Sequence, residues 1–121
     1  MSPAVPPGVT ASRHGEVTVL HLSGELDLAV ADALADAVAP LLPRDRPLLL
    51  DLTEVSFLDS AGVRMLDDVL GEAQRRGIDA RIVAPPGAPA RFTLFVAGFP
   101  AELLCDGLDD GAALFVAGPA A

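Results

Sequence analysis

The sequence predicts an α/β domain built on a mostly parallel sheet. Two observations carry this: apolar residues switch repeatedly between strand-like runs and a helical period, and the switches give strand, helix, strand, helix, strand, helix, strand, helix in order. Such alternation favours parallel pairing with right-handed crossovers. A chain of 121 residues, 51% hydrophobic, fits one domain with a core that stands without disulfide or metal staples.

The start, Ser2 to Gly8, is rich in proline and small residues, so residues 1–14 are expected to be a flexible tail and the domain to begin near Gly15 and run to residue 117, with 118–121 a short tail. Val17 to Leu22 alternates as a strand, with Val17, Val19 and His21 on one face and Thr18, Leu20 and Leu22 on the other. Both faces are partly apolar, which places the strand inside the sheet and makes His21 a half-buried strand residue. From Asp27, an expected N-cap, Val30, Ala33, Leu34, Ala37, Val38 and Leu41 follow the helical period. Asp32 and Asp36 fall on the opposite, solvated face, and Pro40, Pro43 and Pro47 carry the chain out of the helix.

Leu48 to Leu52 is a buried strand, and Val63, Leu66, Val69, Leu70 and Ala73 then form one face of a helix that begins at or just after Ser60. Arg75, Arg76 and Gly77 end it as the helix dipole and a left-handed C-cap favour. Gly71 lies inside this helix, where close packing on the sheet is one explanation. Ala80 to Ala84 is a short strand stopped by Pro85, Pro86 and Gly87. Phe92, Phe95, Val96 and Phe99 recur at helical spacing and are expected in the core, with Gly98 ending the helix. Leu103 to Cys105 is a candidate last strand, and Ala112 to Val116 a short closing helix.

The segment Asp59-Ser60-Ala61-Gly62 sits where a buried strand hands over to an amphipathic helix. Two readings fit it. Asp and Ser are preferred helix caps, with Gly62 easing a tight entry. Unpaired N–H groups and the positive end of the dipole also favour a phosphoryl group on Ser60, which would add roughly −1.5 to −2 charge units to that corner.

Val55 to Val63, Val-Ser-Phe-Leu-Asp-Ser-Ala-Gly-Val, resembles the signature of the STAS-domain anti-sigma-factor antagonists, and Leu22 to Asp27 resembles the family's first strand-to-helix segment. Ala90-Arg91-Phe92 to Gly98-Phe99 is similar to its third helix and glycine stop, and the likeness runs in order over about residues 15 to 116. The resemblance implies a single STAS-like domain with a mixed, mostly parallel sheet of four to five strands and about four helices packed mainly on one side. It implies an antagonist that, unphosphorylated, binds an anti-sigma factor that is also an ATP-dependent serine kinase, releasing the sigma factor. The kinase phosphorylates the antagonist and ejects it, and a PP2C-type phosphatase restores binding. By position, Ser60 would be the phosphoacceptor, Asp59 and Gly62 would shape its turn, Asp27 would lie at the neighbouring strand end, and Ala61, Val63 and Arg64 would join the contact. Many relatives carry a second serine where Ala61 stands, and a leucine where Val63 stands. The alternative within this fold is a non-phosphorylated scaffold subunit of a stress-signalling or lipid-transport complex.

Composition excludes other classes. With a formal charge of −9, no lysine and eight scattered arginines, the chain lacks the clustered cations that grip nucleic acid. No apolar run reaches the ~18 residues of a membrane span, and the N-terminus does not read as a signal peptide, so a cytoplasmic location is expected. No Gly-rich phosphate loop, recognised Ser-His-Asp context or metal-spaced cluster is present, so neither enzyme activity, cofactor nor metal is expected. Ser60 reads as a substrate, because the side chains of neighbours Asp59 and Ser60 diverge on a tight turn. Cys105, the one cysteine, reads as a small buried hydrophobe, and a monomer is expected in the free state.

Overall fold

The computed structural model describes residues 8–116. Residues 1–7 of the expected 1–14 tail, and the expected tail at 118–121, lie outside the described residues. The chain forms β1 (Gly8–His14), β2 (Val17–Leu26), α1 (Ala31–Val38), β3 (Leu48–Leu58), α2 (Ser60–Arg75), β4 (Ala80–Val83), α3 (Pro89–Val96), β5 (Leu104–Cys105) and α4 (Leu108–Val116). Short 3-10 turns follow α1 at Ala39–Leu41 and precede β5 at Ala101–Leu103.

The five strands lie side by side in chain order, with β1 antiparallel to β2 and every other pair parallel. The sheet is mostly parallel, as the alternation predicts, and mixed, as the family resemblance implies. Its first strand corrects the expected domain boundary. Gly8–His14 is paired along its whole length with β2, from Gly8 opposite Ser23 to His14 opposite Val17, so it is no tail. The pairing is set by a two-residue turn that puts Gly15 first at φ +64°, a geometry that matches strand twist. The strand escapes a sequence reading because Thr10 to His14 are exposed at a sheet edge, where no apolar alternation is required.

Leu20, Leu22 and Leu26 of β2 and Leu48, Leu50 and Leu52 of β3 point to one face, where Leu34 and Val38 of α1, Leu66 and Val69 of α2, and Ala90 and Leu94 of α3 close over them. Val17, Val19, Leu49, Val83 and Cys105 point to the other, covered by Ala112 of α4. Three helices on one side and one on the other explain why β2 and β3 are apolar on both faces.

In two helices the buried face differs from expectation. In α1 the stripe is Ala31, Leu34 and Val38, with Ala33 and Ala37 exposed, and the helix starts at Ala31 with no side-chain cap. Asp27 instead closes the preceding turn: its carbonyl accepts from Val30 and Ala31 N–H, and its Oδ1 accepts from Ala29 N–H at 3.1 Å. In α3 only Ala90 and Leu94 are fully buried, with Phe99 half-buried just beyond; Phe92, Phe95 and Val96 are 71%, 74% and 66% exposed. This eight-residue helix is apolar on several sides, so spacing alone does not select which side turns inward. Gly98, at φ +88°, ends it as expected.

Candidate functional site

Strand β3 runs six residues beyond the expected Leu52, to Leu58, and delivers the Ser60 turn to the C-terminal end of the sheet. Asp59 is the N-cap of α2, in extended backbone at φ −100°. Both oxygens of its carboxylate are engaged: Oδ1 accepts from Gly62 N–H at 3.0 Å, and Oδ2 from Leu28 N–H at 3.2 Å. The second bond ties the start of α2 to the loop after β2, and Asp59 N–H donates to Leu26 carbonyl oxygen at 3.2 Å. One side chain thus fixes two segments far apart in sequence, the turn that holds Asp27 and the turn that holds Ser60.

Gly62 has a sharper requirement than easing a tight entry. A Cβ placed on it would stand 2.3 Å from Leu26 carbonyl oxygen and 2.6 Å from Leu58 Cδ1. Only glycine lets the first turn of α2 come this close to the end of β2. Gly71 differs: a Cβ there would meet only Arg75 Nη1, at 3.5 Å, so close packing on the sheet does not account for it.

Ser60, held in place by this cap, is exposed at the first position of α2. Among the described residues its hydroxyl has no hydrogen-bond partner, and the N–H groups of Ser60 and Ala61 have none either, whereas those of Gly62 and Val63 are taken by Asp59. Unpaired donors at the positive end of a helix favour an anion. Asp59, with both oxygens occupied by N–H donors, is not disposed as a base for Ser60. Ala61 and Val63 are half-buried against the core, Gly62 is buried, and Arg64 is exposed one turn on from Ser60. Arg64 also lines a groove between α1 and α2, together with Leu28, Ala61 and Met65.

The exposed face of α3 stands beside Ser60. A cleft of about 330 Å³ is lined by Asp59, Ser60 and Val63 on one side and by Phe92, Thr93 and Val96 on the other. Outside this cleft, Leu28 in the α1–α2 groove and Phe57 near the end of β3 are also exposed, 79% and 48%. The sequence reading missed the α3 residues here. The available signal was a short helix with more large apolar residues than one face holds. At the far end of α2, Arg75 and Arg76 both pair with Glu72, at 2.8 and 3.2 Å, so the arginine pair has a local role besides ending the helix. Their hydrogen bonds hold the Glu72 carboxyl below its ordinary value.

Residues 9–109 match the STAS domain family model, a span that takes in β2 to β5, all but the first residue of β1, and the Asp27 and Ser60 turns described above. The chain belongs to the STAS domain family. Among curated STAS relatives it is 37% identical over 78 residues to the anti-sigma-F factor antagonist RsfB of Mycobacterium tuberculosis, a match covering 60% of this chain and 63% of that protein. The match thus spans less than two-thirds of that relative's length. A solved anti-sigma factor antagonist from Mycobacterium paratuberculosis superposes with a TM-score of 0.76 at 28% identity, covering 88% of this chain and 91% of that one. The anti-sigma factor antagonist SpoIIAA in its unphosphorylated form shares the fold, with a TM-score of 0.68 at 17% identity over 93% of this chain and 99% of that one. The STAS fold therefore extends over essentially the whole described chain.

Proposed function

We propose that this STAS domain is an anti-sigma factor antagonist switched by phosphorylation of Ser60. Unphosphorylated, it binds an anti-sigma factor that is also an ATP-dependent serine kinase and so releases the sigma factor; the kinase then phosphorylates Ser60, and a PP2C-type phosphatase reverses the modification. The observation that carries this reading is a solvent-facing Ser60 on a rigidly capped helix start, beside an exposed apolar cleft. A rigid cap presents the hydroxyl to a kinase, and the phenylalanines provide surface for a protein partner. The names of RsfB and the Mycobacterium paratuberculosis antagonist support the same role.

The contact is centred on Ser60, with Asp27, Asp59, Ala61, Gly62, Val63 and Arg64 around it and the α3 face as its apolar flank. A phosphate there would place a charge of about −2 at an acidic surface, repelling a partner with no matching cation and forcing desolvation of the anion. It would not unfold the domain, because negative charge at a helix start stabilises by roughly 0.3–1 kcal/mol. In this mechanism Ser60 is a substrate and the domain needs no cofactor. We place it in the cytoplasm as a monomer when free; among the described residues, no helix is long and apolar enough to cross a membrane.

The test is a paired capture from a lysate of the native cells, with Ser60→Ala and Ser60→Asp forms as baits. Retention of an ATP-binding anti-sigma factor by the Ala form and its loss from an equally stable Asp form are expected. Equal recovery of the same partners by both, with no kinase among them, would favour the scaffold reading.

A further inference from the structure

On the α4 side of the sheet, beyond the part that α4 covers, three polar side chains from three adjacent strands form one hydrogen-bonded chain. Ser12 of β1 lies 2.7 Å from His21 Nε2, and His21 Nδ1 lies 2.8 Å from Asp51 Oδ2. Asp51 is the one buried charged residue among the described residues, 6% exposed, and its Oδ1 accepts from both the N–H and the hydroxyl of Thr53. An ionised carboxylate only accepts, so His21 Nδ1 carries the proton it shares with Asp51. In the neutral ring Nε2 is then an acceptor, and the Ser12 hydroxyl donates to it. The order of bonds, serine to Nε2 and Nδ1 to a buried carboxylate, is that of an activated nucleophile with its base and the group that orients the base. Ser12 is exposed on an edge strand and His21 one-third exposed, so a reactant reaches both. Thr10, two residues along β1 and opposite His21 in register, adds a hydroxyl on the same face.

We infer that Ser12, His21 and Asp51 form a second chemical site, separate from Ser60, at which Ser12 is a nucleophile toward small activated carboxylic esters. The Ser12 proton passes to His21 Nε2 as the Oγ–C bond forms at the ester carbonyl. Breaking the bond to the leaving alcohol returns that proton to the alcohol oxygen and leaves acyl-Ser12. Water then attacks the acyl carbon, giving a proton to Nε2 that Ser12 Oγ recovers as the carboxylic acid departs. His21 is the general base; Asp51 is a positioning residue.

The experiment treats the full chain with a fluorophosphonate probe and, separately, follows p-nitrophenolate release from p-nitrophenyl acetate. The expected result is a phosphonyl adduct mapped by fragmentation to Ser12 in the tryptic peptide ending at Arg13, retained in Ser60→Ala and absent from Ser12→Ala. His21→Gln is expected to slow labelling and release at least ~100-fold, the low end of general-base contributions. Asp51→Asn is expected to slow both and to shift the His21 ring proton from Nδ1 toward Nε2, read from ring-nitrogen chemical shifts. Labelling of Ser12 no faster than of Ser2, Ser23 or Ser56, or phenolate release unchanged in Ser12→Ala because His21 alone takes the acyl group, would overturn the proposal. Neither outcome bears on the Ser60 switch.

Discussion

Gly62→Ala should damage the domain even though the same change elsewhere in a helix strengthens it. An alanine in a helix interior is favoured over glycine by up to ~1 kcal/mol. At position 62 the added methyl carbon would lie 2.3 Å from Leu26 carbonyl oxygen, a backbone atom that cannot step aside, and 2.6 Å from the Leu58 side chain at Cδ1. Relief requires α2 to lift away from β2, which strains the Asp59 bonds to Gly62 and Leu28. Overpacking of this kind costs about 1–3 kcal/mol, or a fall in Tm of ~4–12 °C for a domain of this size. Gly71→Ala is the matched control, because its methyl would meet only Arg75 Nη1 at 3.5 Å; it is expected to raise Tm by up to ~4 °C. Thermal unfolding of both variants, followed by circular dichroism, decides the matter. Equal or greater stability of Gly62→Ala relative to Gly71→Ala would refute the claim that close approach of α2 to β2 fixes this glycine.

Three further outcomes are expected. Asp59→Ala removes the cap of α2 and the tether to Leu28, and should lower stability by about 1–2 kcal/mol in urea unfolding, with Asp59→Asn losing less. Burial pushes the Cys105 thiol above its ordinary value, so iodoacetamide should alkylate it at least ~10-fold more slowly in the native protein than in denaturant at the same pH. Glu72 should titrate below its ordinary 4.5 by carboxyl-carbon NMR, and Arg75→Ala should raise its midpoint. Because its folded value is depressed, its contribution to stability is present above the ordinary value and fades as pH falls through the folded one, more weakly in high salt.

The parallel part of the sheet was legible because Leu48 to Leu52 and the helical stripe from Val63 to Ala73 follow the two periods that burial imposes. The faces of β2 were legible for the same reason, with Val17 and Val19 on one side and Leu20 and Leu22 on the other. Strand β1 was not, since an exposed edge strand needs no apolar alternation. The outward side of α3 was hidden because Phe92, Leu94, Phe95 and Val96 within one eight-residue helix fit several choices of face, and only the chain before and after it fixes the rotation. The Ser60 turn stood out in the sequence, yet the reason for Gly62 lies in Leu26, 36 residues earlier, and appears only when β2 and α2 meet. The Ser12, His21 and Asp51 chain likewise depends on strand register, which local spacing does not specify.

The most direct measurement is calorimetric binding of the purified anti-sigma factor to this domain before and after enzymatic phosphorylation of Ser60. Like charge or an unpaired anion at a protein contact costs several kcal/mol, so the phosphorylated form should bind at least ~100-fold more weakly while its Tm stays level or rises. Affinities within twofold of one another, with Ser60 fully phosphorylated, would contradict the switch.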